Sequence, residues 1–352
     1  MTEVIVVGGG IIGLTAAIRL QQRGARVTVL AADDIRATVS AVAAAVWYPT
    51  HTDADPRVLR WAAATLDEFR RQAAGGVEGI VLRRTRMLLR EPMAELPWWA
   101  SAVGDVTLVD APPPYTQELH FTAPLVEMDP YLERLQRELT AAGGRVVRRR
   151  VARLGEPLAE APVVVNATGL AAGRLCADPA VFPVRGHIVL VDNPGLDLSV
   201  RDEDHPEGLT YVHPRRHDVV LGGTFEPGRT DTNPDPRDAA AIVDRCVALV
   251  PELAGAPIRA ERIGLRPARL GGPRVAAEST PGGGRIVHAY GHGGAGMTLS
   301  WGCADEICDL ALATGDHNEN LARSASVTSS PASGPTAPGE NAGAPGRSGP
   351  AA

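Results

Sequence analysis

The chain is 352 residues long, 44% hydrophobic and 22% charged, with a formal net charge of -6. That length is enough to bury two sizeable cores, and the composition is that of a globular protein. The acidic balance leaves no basic excess to neutralise phosphates, which argues against nucleic acid or an anionic membrane as partner.

The chain opens directly into a strand pattern, with no basic and apolar leader ahead of it, and no apolar run long enough to span a bilayer. Neither an export signal nor a membrane span is expected. Cys176, Cys246, Cys303 and Cys308 form no CxxC pair and show no zinc spacing. Reduced thiols without an export signal point to the cytoplasm. His288 and His292 straddle glycines, and no metal site is expected there.

Val4 to Val7 form a short β-branched run that reads as a buried parallel strand. Gly8, Gly10 and Gly13 follow at GxGxxG spacing, and Leu14 to Leu20 carry apolar residues at helical spacing. In such a strand-to-helix turn Gly8 lets the chain turn, Gly10 lets a pyrophosphate approach the backbone, and Gly13 lets helix pack on strand. A nucleotide cofactor is the expectation; the bland alternative is a glycine-rich turn between ordinary core elements.

Arg26 to Leu30 read as a second strand, completing a βαβ unit. An acid for the ribose hydroxyls belongs at the end of that strand. Ala31 and Ala32 come first, and either Asp33 or Asp34 could serve. The small residues of Thr38 to Val46 suit close packing against a planar ligand, or an alanine-rich helix, and Trp47, Tyr48 and Pro49 end the stretch. Arg57 to Gln72 read as a helix, Val77 to Arg90 as one or two strands, and Pro112 to Pro114 as a loop. Pro130 to Ala142 form an amphipathic helix closed by Gly143 and Gly144. Strands follow at Arg145 to Val151 and Val163 to Val165, the latter ending in a second glycine-bearing turn, Asn166-Ala-Thr-Gly169, whose place is beside the first in one sheet.

Gly186 to Asp192, Leu209 to His213 and His217 to Phe225 read as antiparallel strands, with Pro214-Arg-Arg216 as a hairpin turn. Asp238 to Val250 form a helix. Arg285 to Ala289 lead into Tyr290-Gly-His-Gly-Gly-Ala-Gly-Met-Thr298 and a closing helix, Leu299 to Leu312. Ser324 to Ala352 are nearly all Ala, Gly, Pro and Ser, the composition of a disordered tail. Two glycine-rich strand-to-helix turns at opposite ends of the chain are more than a nicotinamide domain needs. The later one aims the positive end of a helix at a second part of the cofactor, which favours FAD over NAD.

Eight separated motifs, in order, resemble the D-amino-acid oxidase family. They are Val6-Val-Gly-Gly-Gly-Ile-Ile-Gly13, Ala43-Ala-Ala-Val-Trp-Tyr-Pro49, Val165-Asn-Ala-Thr-Gly169, Pro183-Val-Arg-Gly-His187, Tyr211-Val-His-Pro214, Gly222-Gly-Thr-Phe225, Gly264-Leu-Arg-Pro267 and Tyr290 to Thr298. The resemblance implies an α/β fold: a Rossmann-like, glutathione-reductase-like FAD-binding domain (residues 1–60, 136–180 and 283–314) with an inserted, mainly antiparallel substrate-binding domain (61–135 and 181–282), then the tail (315–352). It implies FAD contacts from Gly8, Gly10, Ile11, Ile12 and Gly13, from Asp33, and from Ser40, Ala44, Ala45 and Trp47. Thr168 and Gly169 join them, as do Gly293, Gly294, Gly296, Met297 and Thr298.

For the substrate, the resemblance implies that Arg266 pairs bidentately with an α-carboxylate, Tyr211 donates its hydroxyl to it, and the Gly294 carbonyl receives the amino group. The implied activity is that of a flavoprotein oxidoreductase in D-amino acid catabolism. Hydride leaves the α-carbon of a neutral D-amino acid for flavin N5, giving a 2-oxo acid, ammonia and hydrogen peroxide, with oxygen as acceptor. No residue is a convincing general base, and His213 is expected to be structural. The lid tyrosine of eukaryotic members is missing from the short Asp204-His-Pro-Glu-Gly208, so an open or weakly gated site is expected. Tyr48 stands where many members have glutamine. Phe225 stands where the D-aspartate branch carries arginine, which points to the neutral-substrate branch. D-aspartate oxidase and a glycine or sarcosine-type amine oxidase are the alternatives within enzymes. A flavin-binding protein without turnover and a nicotinamide dehydrogenase lie further off. The sequence leaves the oligomeric state open; a homodimer is compatible with it.

Overall fold

The computed structural model describes residues 1–49, 52 and 55–313. The tail expected at 315–352 lies outside the described residues. In chain order the strands are β1 (Glu3–Val7), β2 (Arg26–Ala31), β3 (Ile80–Leu89), β4 (Thr107–Asp110), β5 (Gln117–Val126), β6 (Arg145–Arg148), β7 (Val163–Asn166) and β8 (Val181–Asp192). They continue with β9 (Ser199–Asp202), β10 (Thr210–Pro214), β11 (Asp218–Gly222), β12 (Glu226–Pro227), β13 (Ile258–Arg269), β14 (Arg274–Ser279) and β15 (Arg285–Tyr290). The helices are α1 (Ile11–Gln22), α2 (Val39–Val42), α3 (Pro56–Ala74), α4 (Ala100–Val103), α5 (Met128–Ala141), α6 (Ala171–Leu175), α7 (Pro236–Leu249) and α8 (Gly296–Leu312).

Among the described residues the strands form two sheets within one unit, Met1–Leu312. The six-stranded sheet has the order β14-β15-β7-β1-β2-β6 and is parallel except at β14. Val4, Val6, Val27, Val29, Val164 and Val165 are essentially inaccessible in it, which is why β1 and β7 read as unbroken apolar runs and β2 is interrupted only at the half-buried Thr28. The nine-stranded sheet has the order β12-β8-β11-β10-β9-β3-β5-β4, with β13 also paired to β8. Its pairings are antiparallel except β3 with β9.

Asp55 and Asp235 cap α3 and α7, each accepting from the N–H two residues on, with Pro56 and Pro236 at the first helical position. α1 and α8 are buried on most of their surface because they pack on each other as well as on the sheet. The Thr15 hydroxyl donates across to the Ser300 carbonyl at 3.2 Å. Gly302 exists for the same closeness on another flank, since a Cβ there would fall 2.4 Å from the Trp61 backbone.

The structure departs from the sequence reading in particular places. β13, which carries Arg266, does not stand out as a strand, because its positions are mostly half-buried and Arg and Glu interrupt any alternation. β4, β5, β9 and β14 were likewise not expected as strands, and β14 pairs with β15 in the six-stranded sheet. The alanine-rich stretch before Trp47 is helical only over Val39–Val42 and then extends. No helix among the described residues is long and apolar enough to cross a membrane.

Candidate functional site

A cavity of about 640 Å³ reaches from the first glycine turn, past the start of α8, to the face of the larger sheet. Gly8, Gly10, Ile11 and Ile12 line its first part. Gly8 adopts φ +124°, and a Cβ there would lie 2.2 Å from the Ala167 carbonyl oxygen, so the two glycine-bearing turns touch only because this residue is glycine. The Ile11 N–H donates to Ser40 Oγ at 3.0 Å, and the first turn of α1 holds no acidic side chain. The positive end of α1 therefore faces the cavity without a carboxylate of its own, a donor set that suits a pyrophosphate.

Gly13 lies outside the cavity. Its missing Cβ would meet the Gly8 carbonyl oxygen at 1.9 Å, so it permits α1 to pack on the turn rather than touching a ligand. The two acids left open by the sequence are separated. Asp33 lines the cavity and pairs with Arg150 at 3.0 Å, whereas Asp34 caps a short 3-10 turn by accepting from the Arg36 N–H.

Ala44 and Ala45 line the middle of the cavity. Ala45 holds φ +57°, a left-handed conformation unusual for alanine, fixed by Val126 N–H donating to its carbonyl at 2.9 Å and Trp47 N–H donating to Pro124 at 2.8 Å. The Trp47 side chain does not reach the cavity. It is fully buried, packs edge-on against Trp99 and donates its indole N–H to the Ala62 carbonyl at 3.0 Å. Successive side chains of extended backbone point opposite ways, and it is Tyr48 that lines the cavity.

Thr168 and Gly169 form an adjoining wall, where Thr168 donates its hydroxyl to Asn166 Oδ1 at 2.7 Å. Gly293, Gly294, Gly296, Met297 and Thr298, from the turn after the neighbouring strand β15, also line the cavity. The first turn of α8 also lacks an acidic side chain, so a second positive helix end meets the same cavity. The Thr298 hydroxyl is engaged with the backbone of Tyr48, donating to its carbonyl at 3.0 Å and accepting from its N–H at 3.1 Å.

At the sheet face stands Arg266, on β13. Its Nη1 donates to the Arg185 carbonyl at 3.3 Å and to the Thr224 carbonyl at 3.2 Å. Gly186 makes room for it, since a Cβ there would sit 2.4 Å from the guanidinium carbon. Those carbonyls are themselves held in place. Arg185, fully buried, donates to Glu226 at 2.5 Å and to the carbonyls of Asp231 and Asn233 at 3.1 Å, and the Thr224 hydroxyl donates to Glu226 at 3.0 Å. No carboxylate among the described residues pairs with Arg266, so a fixed cation faces the cavity without a counter-ion.

Tyr211 lines the cavity from β10 and stacks on His213 two residues along, with ring centroids 4.7 Å apart and planes 15° apart. A Cβ on Gly222 would fall 1.9 Å from the Tyr211 ring, which pins the ring from behind. Burial raises the pKa of Tyr211, with the neighbouring charge of Arg266 pulling the other way, so the phenol keeps its proton as a donor. Burial, seconded by the charge of Arg201, holds His213 well below the usual histidine range, which makes it a neutral ring and a poor proton acceptor.

His292, between the glycines of the last turn, is pushed down to about 4 by burial. Its native pKa lies below its unfolded value, so its contribution to stability is complete above about pH 6.5 and is lost as pH falls toward 4. That contribution is about 3 kcal/mol. Acid titration of the melting temperature is expected to show a fall across that window which His292→Phe flattens.

Two cavity residues have no mark in the sequence. Arg201 lies in β9, a four-residue strand with two charges and no readable alternation, and Glu203 in the turn just after it. Register is the signal that would have revealed them, because Arg201 stands directly across from Tyr211 in the antiparallel β9 and β10 pair.

The family model for FAD-dependent oxidoreductases matches residues 3–310. A D-amino-acid oxidase of Rubrobacter xylanophilus is 47% identical over 314 residues, covering 88% of this chain and 96% of the relative. A human D-aspartate oxidase is 33% identical over 325 residues, covering 88% of this chain and 94% of the relative. Among solved structures, a glycine oxidase of Bacillus cereus superposes with a TM-score of 0.76 at 19% identity, covering 91% of this chain and 98% of that one, a likeness of fold.

Proposed function

The chain belongs to the FAD-dependent oxidoreductase family, and from that premise we propose that it oxidises neutral D-amino acids, with oxygen as the acceptor. It is a D-amino-acid oxidase in type, and FAD is its cofactor. The observation that carries the substrate reading is Arg266, a guanidinium fixed by two carbonyls and facing the cavity without a counter-ion.

The residues present fit FAD. The cradle at Gly8 is one that a Cβ would fill, and two helix N-termini without acidic side chains open on the same cavity. Gly8, Gly10, Ile11, Ile12 and Ser40 would hold the pyrophosphate end, and Asp33 the ribose. Ala44, Ala45, Thr168, Gly169 and the Gly293 to Thr298 turn would enclose the rest. Bound there, FAD would supply the acceptor for the hydride that leaves the substrate α-carbon, with oxygen as the final acceptor and hydrogen peroxide as the product.

The chain's own contribution is placement. Arg266 offers a planar fork of donors to the α-carboxylate, and Tyr211 adds a hydroxyl donor beside it. The Gly294 carbonyl accepts from the amino group. With carboxylate and amine both pinned, only one enantiomer turns its α-hydrogen toward the cofactor, so orientation supplies most of the rate. His213, neutral and stacked, buttresses Tyr211 instead of moving a proton. Phe225 lines the cavity with its ring 5.8 Å from the Arg266 guanidinium carbon, an apolar surface suited to an uncharged side chain. The two-domain division of the chain, a homodimer and a cytoplasmic location belong to the same proposal; four free cysteines are in keeping with the last.

The test is the visible spectrum of the purified protein, recorded anaerobically before and after D-valine, with L-valine as control. Bleaching of the flavin band by the D-enantiomer alone is the expected result. A band that neither enantiomer bleaches would overturn the substrate reading, and kcat/KM higher for D-aspartate than for D-valine would overturn its neutral side chain.

A further inference from the structure

The larger-sheet end of the cavity contains a second cation besides Arg266. Arg201 is 5% exposed, lines the cavity, and stands across the strand pair from Tyr211. Its charge is not free. One terminal nitrogen of its guanidinium donates to Glu203, its plane lies over the Tyr48 ring at 3.7 Å, and the Tyr48 hydroxyl donates to the other Glu203 oxygen at 3.2 Å. The arginine Nε is buried without a hydrogen-bond partner, so Glu203 and the Tyr48 ring are what compensate this guanidinium.

We propose that Glu203 is a specificity-determining residue: its carboxylate occupies, from within the chain, the position on Arg201 that a second carboxylate of a dicarboxylic D-amino acid would otherwise take. Resting on the D-amino-acid reading above, this assigns the exclusion of acidic side chains to a pair of residues. Two fixed guanidinia, Arg266 for the α-carboxylate and Arg201 for a side-chain carboxylate, make a site for a dicarboxylate, and Glu203 closes half of it. An acidic substrate entering the wild-type cavity meets a neutralised Arg201 and a like charge from Glu203. A neutral one meets a cavity wall whose polar groups are largely engaged with each other. Tyr48 is the third member, since it orients the Glu203 carboxylate while its ring faces the guanidinium.

The test is Glu203→Gln, which keeps the shape and an acceptor for Tyr48 but removes the charge. The ratio of kcat/KM for D-glutamate and D-aspartate to that for D-valine is expected to rise at least tenfold, through KM more than kcat. Adding Arg201→Met is expected to abolish the gain. Glutarate and isovalerate, titrated as unreactive ligands by the perturbation of the flavin spectrum, give a second readout that needs no turnover. Glutarate is expected to tighten tenfold or more in Glu203→Gln, and isovalerate to change little. Glu203→Ala serves the same comparison if the glutamine variant folds poorly. A ratio and a glutarate affinity both within twofold of wild type, or a gain that persists without Arg201, would overturn the proposal. A wild-type protein inert toward D-valine would count against the D-amino-acid reading, while the glutarate titration would still decide the role of Glu203.

Discussion

Arg266→Leu is expected to lose about 30- to 5,000-fold in kcat/KM for D-valine while keeping its flavin, the equivalent of about 2–5 kcal/mol for a buried carboxylate left without its partner. The loss reflects what Arg266 does not do in the free protein. Its Nη1 rests on the carbonyls of Arg185 and Thr224, and no carboxylate among the described residues competes for it. Arg266→Lys is expected to recover only part of the loss, because a point charge cannot present two parallel donors. Gly186→Ala gives a subtler version. The new methyl would displace the guanidinium, a flexible side-chain end, so the fold and the flavin survive while KM rises. Steady-state kinetics with the flavin to protein ratio measured on the same samples separates these outcomes from a general loss of structure. Equal losses of flavin and activity would show that Arg266 serves the fold.

The second large effect is expected at Gly8. Gly8→Ala places a Cβ 2.2 Å from the Ala167 carbonyl oxygen at φ +124°, where neither the clash nor the backbone conformation can be relieved by a side-chain rotation. Destabilisation of about 3 kcal/mol or more and purification without a yellow colour are the expected results. Gly24→Ala is the control. Gly24 also has positive φ, +84°, but nothing lies within 4 Å of the added methyl, so a cost of about 1 kcal/mol with full flavin content is expected. A yellow Gly8→Ala protein of ordinary stability would mean that the turn shifts freely, which its contact with Ala167 forbids.

The parts of the fold written most plainly in the sequence are those whose side chains are buried on every face. β1 and β7 carry uninterrupted valine and isoleucine runs at residues 4–7 and 163–165, and Gly8 and Gly13 stand where backbone contacts admit nothing larger, so both were legible. β13 was not, although it holds Arg266, because a strand half-buried along a cavity carries no alternation. The site shows the same division. Arg266 and Tyr211 are embedded in local motifs, whereas Arg201 and Glu203 matter only through the register of β9 against β10 and through Tyr48, which is more than 150 residues away in the chain. The family resemblance puts Trp47 and Gly13 at the cofactor; Trp47 packs in the core instead, and Gly13 keeps the packing role its place in the glycine motif predicts, between helix and turn.

The order of the six-stranded sheet also governs how the protein can be made. β1 is made long before two strands of its row: its neighbour β7 begins at Val163, and β15, which completes the parallel row, begins at Arg285. During synthesis β1 can pair with β2 while its other edge stays open for more than a hundred residues of elongation, a long-lived unpaired apolar edge of the kind that invites association with other chains. Long-range parallel pairing is also slow to form once the chain is complete. A nascent chain stopped before residue 285 would lack both β15 and the helix that follows it, so the pocket lined by Gly8 and Gly10 cannot close until residues 285–312 have been made.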